Sequence, residues 1–269
     1  MQAGSGLRRA LTVAGSDCSG GAGIQADLKT FHAFGVYGSS AVTAVVAENT
    51  LGVQGMEAVR PDLVALQVES CLSDIGADAV KTGMLASAAV VAAVAGKLRD
   101  HGVAPLVVDP VMRAKDGRAL IDPDALAVMV GDLLPLAAVV TPNVAEAEAL
   151  AGGPIRTEAD LLAAAKAIRA MGPRLVVMKG GHFEGGPEGL ATDFVWDGED
   201  WRPLAGARVA GRGAHGTGCT FSAAITALLA LGEPPGPAIA RAKRFITEAI
   251  RTAPDLGRGH PPVNHWART

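Results

Sequence analysis

Aromatic residues make up only 4% of this 269-residue chain: six Phe, three Trp and one Tyr. A chain of this length buries a sizeable core, which must therefore be built mainly from Ala, Val and Leu, as where helices cover a parallel sheet. Cysteine is scarce as well. Cys18, Cys71 and Cys219 are odd in number, far apart and without a C-x-x-C pair, which argues against a disulfide framework or a zinc site and fits a reducing cytoplasm. Neither sign of charge is in excess: 24 Lys and Arg against 27 Asp and Glu leave a formal net charge of −3. Nothing in that balance calls for nucleic acid or an anionic membrane as partner. The N-terminus lacks the apolar stretch of a signal peptide, and no later run approaches a membrane span. The expectation is a soluble cytoplasmic protein.

What the chain has in abundance is alternation. Short apolar runs read as strands: "ALTVAG" from Ala10, "AVTAVVA" from Ala41 as the second strand, and "GVQGMEAV" from Gly52 as a third at an edge. "DAVKTG", "PLVVDP", "LAAVVTP" and "RLVVMKGG" read as further strands ending near Thr82, Asp109, Thr141 and Lys179. Helical patterns fall between them: Gly23 to Phe34, Pro61 to Asp74, Ser87 to Asp100, Pro123 to Leu134, and Asn143 to Ala170 with a break at Gly152-Gly153-Pro154. "ATDFVWDGEDWRPL" has the pattern of a hairpin with Asp197-Gly198 in its turn. Helices at Thr217 to Leu231 and Pro237 to Thr252 precede a Gly/Pro-rich tail. Such alternation predicts βαβ units, a mostly parallel sheet and one α/β domain, with ligands gathered beyond the carboxyl ends of the strands.

Two phosphate cradles nearly fit "AGSDCSGGAGIQAD". Gly15 to Gly20 has the first half of a P-loop, but Gly21 and Ala22 stand where lysine and a hydroxyl residue belong. Gly21, Gly23 and Ala26 satisfy a dinucleotide fingerprint, with Glu48 further along as a ribose-binding acid. This supports a NAD-dependent oxidoreductase as one reading. Against it stand the intervening residues Gly15 to Gly20 and the negative charges of Asp17 and Asp27. A long irregular turn explains the glycines equally well.

The strand ends carry more chemistry. Asp109 follows "LVV", where it can act as a cap or as a functional acid. Asn143 and Glu146 share a helix face, which makes a capping box or an Mg²⁺-organising pair, and the two are compatible. Lys179 closes an apolar strand and needs an anionic neighbour or solvent. In "GRGAHGTGCTFSAAI", Gly211, Gly213, Gly216 and Gly218 lead into an apolar helix, so backbone N–H groups and the helix dipole form an anion hole. Cys219 falls in the first turn, where the same field favours a thiolate, although a small cysteine can also serve packing alone. Together these favour phosphoryl transfer.

With "GSDCSGGAGIQADLKTF", "VKTGML", "VVDPVM", "TPNVAEAEAL", "MKGGH", "HGTGCTFSAAI" and the "GHPPVNH" tail in view, the chain resembles the hydroxymethylpyrimidine/phosphomethylpyrimidine kinases of thiamine biosynthesis, almost end to end. The resemblance implies a three-layer αβα sandwich of the ribokinase-like type, as one kinase domain over residues 1–269. It implies ATP-dependent phosphorylation of 4-amino-5-hydroxymethyl-2-methylpyrimidine and of its monophosphate, with ATP and Mg²⁺ as cofactors and a homodimer by analogy. By similarity, Gly216, Thr217 and Gly218 form the anion hole, and Cys219 assists deprotonation of the substrate hydroxyl. Lys179 contacts the nucleotide phosphates, while Asp109, Asn143 and Glu146 organise Mg²⁺ and triphosphate, Asp109 and Glu146 through water. Gly15, Asp27, Glu48 and Met84 line the pyrimidine pocket. Three positions depart from the family pattern: Glu48 where many members have glutamine, Ala214 for a polar residue, and Pro261 for a glycine. A carboxylate only accepts hydrogen bonds, so Glu48 pairs with a protonated ring, is itself protonated when the site is filled, or points to a different ring, such as a vitamin B6 substrate of the pyridoxal type. A non-catalytic precursor-binding protein is the remaining reading.

Overall fold

The computed structural model describes residues 6–113, 117–118, 120–181, 183, 188–209 and 213–268. The apolar runs read from the sequence become β1 (Arg9–Ala14), β2 (Tyr37–Val42), β3 (Ala44–Asn49), β4 (Gly52–Ala58), β5 (Ala79–Thr82), β6 (Leu106–Val108), β7 (Val139–Val140) and β8 (Leu175–Met178). The hairpin is β9 (Leu190–Trp196) and β10 (Trp201–Ala207), antiparallel, with Asp197 Oδ1 accepting the amides of Glu199 and Asp200 in the turn. Eight strands form one sheet in the order β10-β9-β8-β7-β6-β5-β1-β2. The six strands from β8 to β2 run parallel, and β9 and β10 extend the sheet antiparallel.

One expectation fails here. "AVTAVVA" is not a single second strand: Ala41 and Val42 end β2, whereas Ala44 to Ala47 begin β3, which pairs only with β4 in a separate two-stranded sheet. Thr43 makes the break. Its amide donates to Ala14 O, its carbonyl accepts from Val59 N, and its Oγ1 donates to Met84 O at 2.6 Å. Both halves are apolar, so periodicity shows no seam; only the tertiary partners of Thr43 create one.

Helices cover both faces. α1 (Gly23–Ala33), α7 (Thr217–Ala230) and α8 (Pro235–Arg251) pack one side around Phe31, Phe221, Ile239 and Phe245. α2 (Pro61–Ser70), α3 (Ala88–Asp100), α4 (Pro123–Val128), α5 (Val144–Ala151) and α6 (Glu158–Ala170) cover the other around Val64, Leu98, Met129, Leu161 and Ile168. α2 and α4 each run on into a π-helical turn, and α5 ends at Gly152 in the left-handed conformation, which places the anticipated break before α6. α7 is buried all round from Thr220 to Ala230, as its apolar composition requires. The expected three-layer αβα architecture is the one observed. The strand order reverses between β1 and β5, so the crevice for a ligand opens beyond their carboxyl ends. No helix among the described residues is long and apolar enough to cross a membrane.

Candidate active site

The glycine-rich turn after β1 is organised around its own aspartate. Asp17 is 1% exposed. Its carboxylate accepts the amides of Ser19 (2.8 Å), Gly21 (3.0 Å) and Ala22 (2.7 Å) and meets His215 Nε2 at 2.9 Å. Burial alone would raise the Asp17 pKa, but His215 and these donors outweigh it and hold the carboxyl well below the usual range. Of the remaining amides, Gly20 donates to Asp17 O and Ile24 to Gly15 O. The dinucleotide reading of Gly21, Gly23, Ala26 and Glu48 is therefore overturned: the amides that would meet a pyrophosphate already hold a carboxylate. Glu48, moreover, sits on the separate β3–β4 pair rather than ending the next strand of the main sheet.

His215 joins three segments. Besides Asp17, its Nε2 lies 3.6 Å from Glu48 Oε1, and its amide donates to Pro261 O in the tail. Glu48 in turn is tied through its backbone to Cys18, whose Sγ lies 3.3 Å from the Glu48 amide and 3.2 Å from its carbonyl. A small open pocket is lined by residues 48–52 of the β3–β4 turn together with His215 and His260. Gly15 and Met84 meet each other: a Cβ at Gly15 would overlap the Met84 methyl group, and Met84 packs with Ala44, Val46 and Val53.

Asp27 does not join these pocket residues. It is fully enclosed on α1, where Oδ2 accepts from Thr12 Oγ1 (2.6 Å) and Lys81 Nζ (2.8 Å), and Oδ1 has no hydrogen-bond partner. The expectation set Asp27 in the pyrimidine pocket; the structure places it in this buried pair with Lys81 and Thr12. It was placed by motif position, and the cation that draws it inward lies 54 residues away in sequence. Lys81 itself was missed. The available signal was a lysine one residue before the end of a strand whose four residues are all buried.

Asp109, Asn143, Glu146 and Lys179 do converge. Lys179 Nζ is 2.8 Å from Asp109 Oδ1 and 3.6 Å from Glu146 Oε2. Asp109 also accepts from Thr141 Oγ1 (3.1 Å) and Ser222 Oγ (3.2 Å). Asn143 and Glu146 form the anticipated capping box, with reciprocal bonds of 2.8 and 2.9 Å. Burial alone would lower the Lys179 pKa, but Asp109 and Glu146 more than offset it, so the ammonium stays charged. Mg²⁺ takes hard oxygen ligands and keeps several waters. Both Asp109 oxygens already accept protein donors, so this donor set fits an ion bridged through water rather than one bound directly.

α7 starts beside this ion pair. Gly216, its N-cap, is left-handed at φ 78°, and a Cβ there would overlap the Gly21 carbonyl, so only glycine fits. No side chain caps the helix. A Cβ on Gly218 would stand 3.2 Å from Lys179 Nζ and 3.7 Å from Asp109 Oδ2. The uncapped N-terminus and the lysine therefore face one space. Gly213 leads into this turn, and Gly211 lies outside the described residues. Burial pushes the Cys219 thiol up to about 12, against the pull of the Lys81 charge.

Residues 17–264 match the family model described as phosphomethylpyrimidine kinase. The chain is 47% identical over 262 residues to the hydroxymethylpyrimidine/phosphomethylpyrimidine kinase of Rhizobium meliloti, covering 96% of this chain and 97% of that protein. It is 51% identical over 255 residues to the thiamine biosynthesis bifunctional protein ThiED of Geobacter sulfurreducens, of which it spans about half the length (51%) while 95% of this chain is covered. Among solved structures, an ADP complex of Bacillus subtilis pyridoxal kinase superimposes with a TM-score of 0.90 at 39% identity, covering 97% of this chain and 98% of that one. A phosphomethylpyrimidine kinase from Clostridium difficile gives 0.79 at 40% identity, covering 90% and 99%. The αβα layers, the uncapped α7 N-terminus beside Lys179 and these full-length matches agree: the chain belongs to the phosphomethylpyrimidine kinase family.

Proposed function

We propose that the chain is one kinase domain that transfers the terminal phosphoryl group of ATP to the 5-hydroxymethyl group of 4-amino-5-hydroxymethyl-2-methylpyrimidine, and then to the resulting monophosphate. The single observation that carries this is the uncapped N-terminus of α7 facing the Lys179 ammonium. Phosphoryl transfer needs chiefly positioning and charge stabilisation. In this reading the amides of Gly216, Thr217 and Gly218 hold the transferred group and Lys179 holds the nucleotide phosphates. Asp109, Asn143 and Glu146 keep Lys179 charged and orient magnesium-bound water. Magnesium, bound with ATP, neutralises phosphate charge. Gly15, Glu48 and Met84 form the pyrimidine side, and the Cys219 sulfur meets the reacting hydroxyl. The three free cysteines suit a reducing cytoplasm. The exposed Val45, Met56, Leu63 and Leu66 offer apolar surface for a homodimer, which light scattering on the purified protein tests.

Phosphorylation of pyridoxal is the second reading, favoured by the 0.90 TM-score to pyridoxal kinase. A coupled ADP-release assay with hydroxymethylpyrimidine, its monophosphate and pyridoxal decides between them. Turnover of the first two supports the proposal. Turnover of pyridoxal alone moves the assignment to the second reading, and ADP release with none of the three sinks both. Glu48→Gln sharpens the substrate side: unchanged pyrimidine KM and pH profile would remove Glu48 from ring recognition.

A further inference from the structure

His215 has no role in the phosphoryl transfer described above, yet it stands where the two halves of the site meet. It directly precedes Gly216, the N-cap of α7, and it lines the small pocket together with Glu48. The residue is buried. Asp17 is held ionised, and a carboxylate only accepts hydrogen bonds. His215 Nε2, 2.9 Å from Asp17 Oδ2, therefore carries a hydrogen and donates it. The same Nε2 lies 3.6 Å from Glu48 Oε1, beyond a hydrogen bond but within ion-pair distance. One N–H group thus sits between a carboxylate of the closed loop and a carboxylate of the β3–β4 pair.

The imidazole is held from several sides. A Cβ on Gly21 would come within 2.7 Å of His215 Cδ2, and one on Gly216 would overlap the Gly21 carbonyl, so the closed loop and the start of α7 interlock. The His215 amide donates to Pro261 O at 2.8 Å. Just before Pro261, the Gly259 amide donates to Thr50 Oγ1 (3.2 Å) and the His260 amide to Thr50 O (2.8 Å), in the turn that follows Glu48. Glu48 is therefore located against α7 twice, through the imidazole and through the tail. Such ties matter here because β3 and β4 form a sheet of their own and share no ladder with the main sheet that carries α7. A group misplaced by about 1 Å can cost about 10²-fold in an enzyme that works by positioning.

We propose that His215 is a positioning residue: anchored on Asp17, it holds Glu48 in register with the start of α7 and so sets recognition of the substrate ring. The inference rests on the proposed placement of Glu48 at the pyrimidine. Calorimetry on the intact protein, with hydroxymethylpyrimidine and with ADP as separate probes, tests it without turnover. His215→Leu removes the N–H group and should weaken pyrimidine binding about tenfold, with ADP affinity unchanged. His215→Gln keeps an N–H at nearly the same place and should restore most of that loss. The deciding measurement is a double-mutant cycle with Glu48→Gln. In that background His215→Leu should cost about twofold or less, because residues that act through one another are not additive. An imidazole that serves packing alone predicts additive losses, or a loss shared with ADP. Either result, or pyrimidine affinity unchanged in His215→Leu, overturns the proposal. If His215→Leu does not fold, His215→Asn, which draws the donor back, takes its place in the cycle with the same outcomes. Wild-type binding of the pyrimidine that Glu48→Gln leaves intact overturns the substrate reading and this inference with it. Impaired binding in Glu48→Gln with additive losses overturns this inference alone. Coupling as proposed with no kinase turnover would count against the assigned activity and leave it standing.

Discussion

Residues 15–23 and 213–218 are both glycine-rich, both lead into a helix, and they touch each other where Gly216 meets Gly21. They differ in where their amides go. In the first, Asp17 takes the amides of Ser19, Gly21 and Ala22, and the Asp17 carbonyl takes that of Gly20. In the second, α7 starts on Gly216 with no side-chain cap. A nest of N–H groups binds an anion; in the first loop that anion is part of the protein, and in the second no side chain among the described residues takes that place. Two segments of similar composition thus become a built wall and an open cradle.

The comparison breaks hardest at Lys179. Lys179→Met removes the cation beside the open cradle and leaves the buried Asp109 and Glu146 unpaired, so kcat should fall about 10³-fold and stability by about 3–5 kcal/mol. Steady-state kinetics with urea unfolding checks both, and a kcat within a few-fold of wild type would refute the assigned role. Gly218→Val fills the cradle itself. We expect about a 10²-fold loss of kcat/KM with the far-UV spectrum unchanged, whereas near-normal kinetics would mean that the phosphoryl group sits elsewhere.

Asp17→Asn tests the closed loop. An amide nitrogen cannot accept from Gly21 and Ala22, so stability should drop by about 1–3 kcal/mol. The KM for ATP should stay unchanged while that for the pyrimidine rises. A rise in the ATP KM instead would erase the division of labour between the loops.

The last test sets the closed loop against the packing behind α7 by pH. His265 accepts or donates a bond with Thr220 Oγ1 at 3.2 Å behind α7, and burial with Lys29 nearby lowers its pKa to about 4. The unfolded imidazole titrates at about 6.5. Between these values the unfolded state binds more protons, so stability is fully present above pH 6.5 and is lost as pH falls towards 4, by up to about 3 kcal/mol. The depressed Asp17 carboxyl contributes in a lower window, fully above about pH 4 and fading below it. His265→Gln should flatten the upper limb of a stability–pH curve and Asp17→Asn the lower one. If each variant left its own limb unaltered, these groups would not be the source of the acid sensitivity.

Much of this was legible in the sequence, and the reason is physical in each case. Period and length alone give the strands, the helices and the break near Gly152, because local burial patterns cause them. Asp109, Asn143, Glu146 and Lys179 were found because each ends a strand or opens a helix, and in an open parallel sheet those ends share one side. The split of "AVTAVVA" at Thr43 was illegible because it depends on Met84, Ala14 and Val59. The raised Cys219 thiol was illegible because desolvation depends on everything packed around the sulfur.

The sequence by itself determined the architecture, the glycine-led start of α7 and the resemblance to the kinase family, since these follow from periodicity, glycine placement and ordered motifs. The tertiary structure decided that Asp27 pairs with Lys81 and that His215 ties Glu48 to Asp17. Those outcomes depend on pairs separated by 54 residues and by 198. Hydrogen bonds and ion pairs between distant residues leave no periodic trace in a chain, so they become visible only when folding brings the partners together.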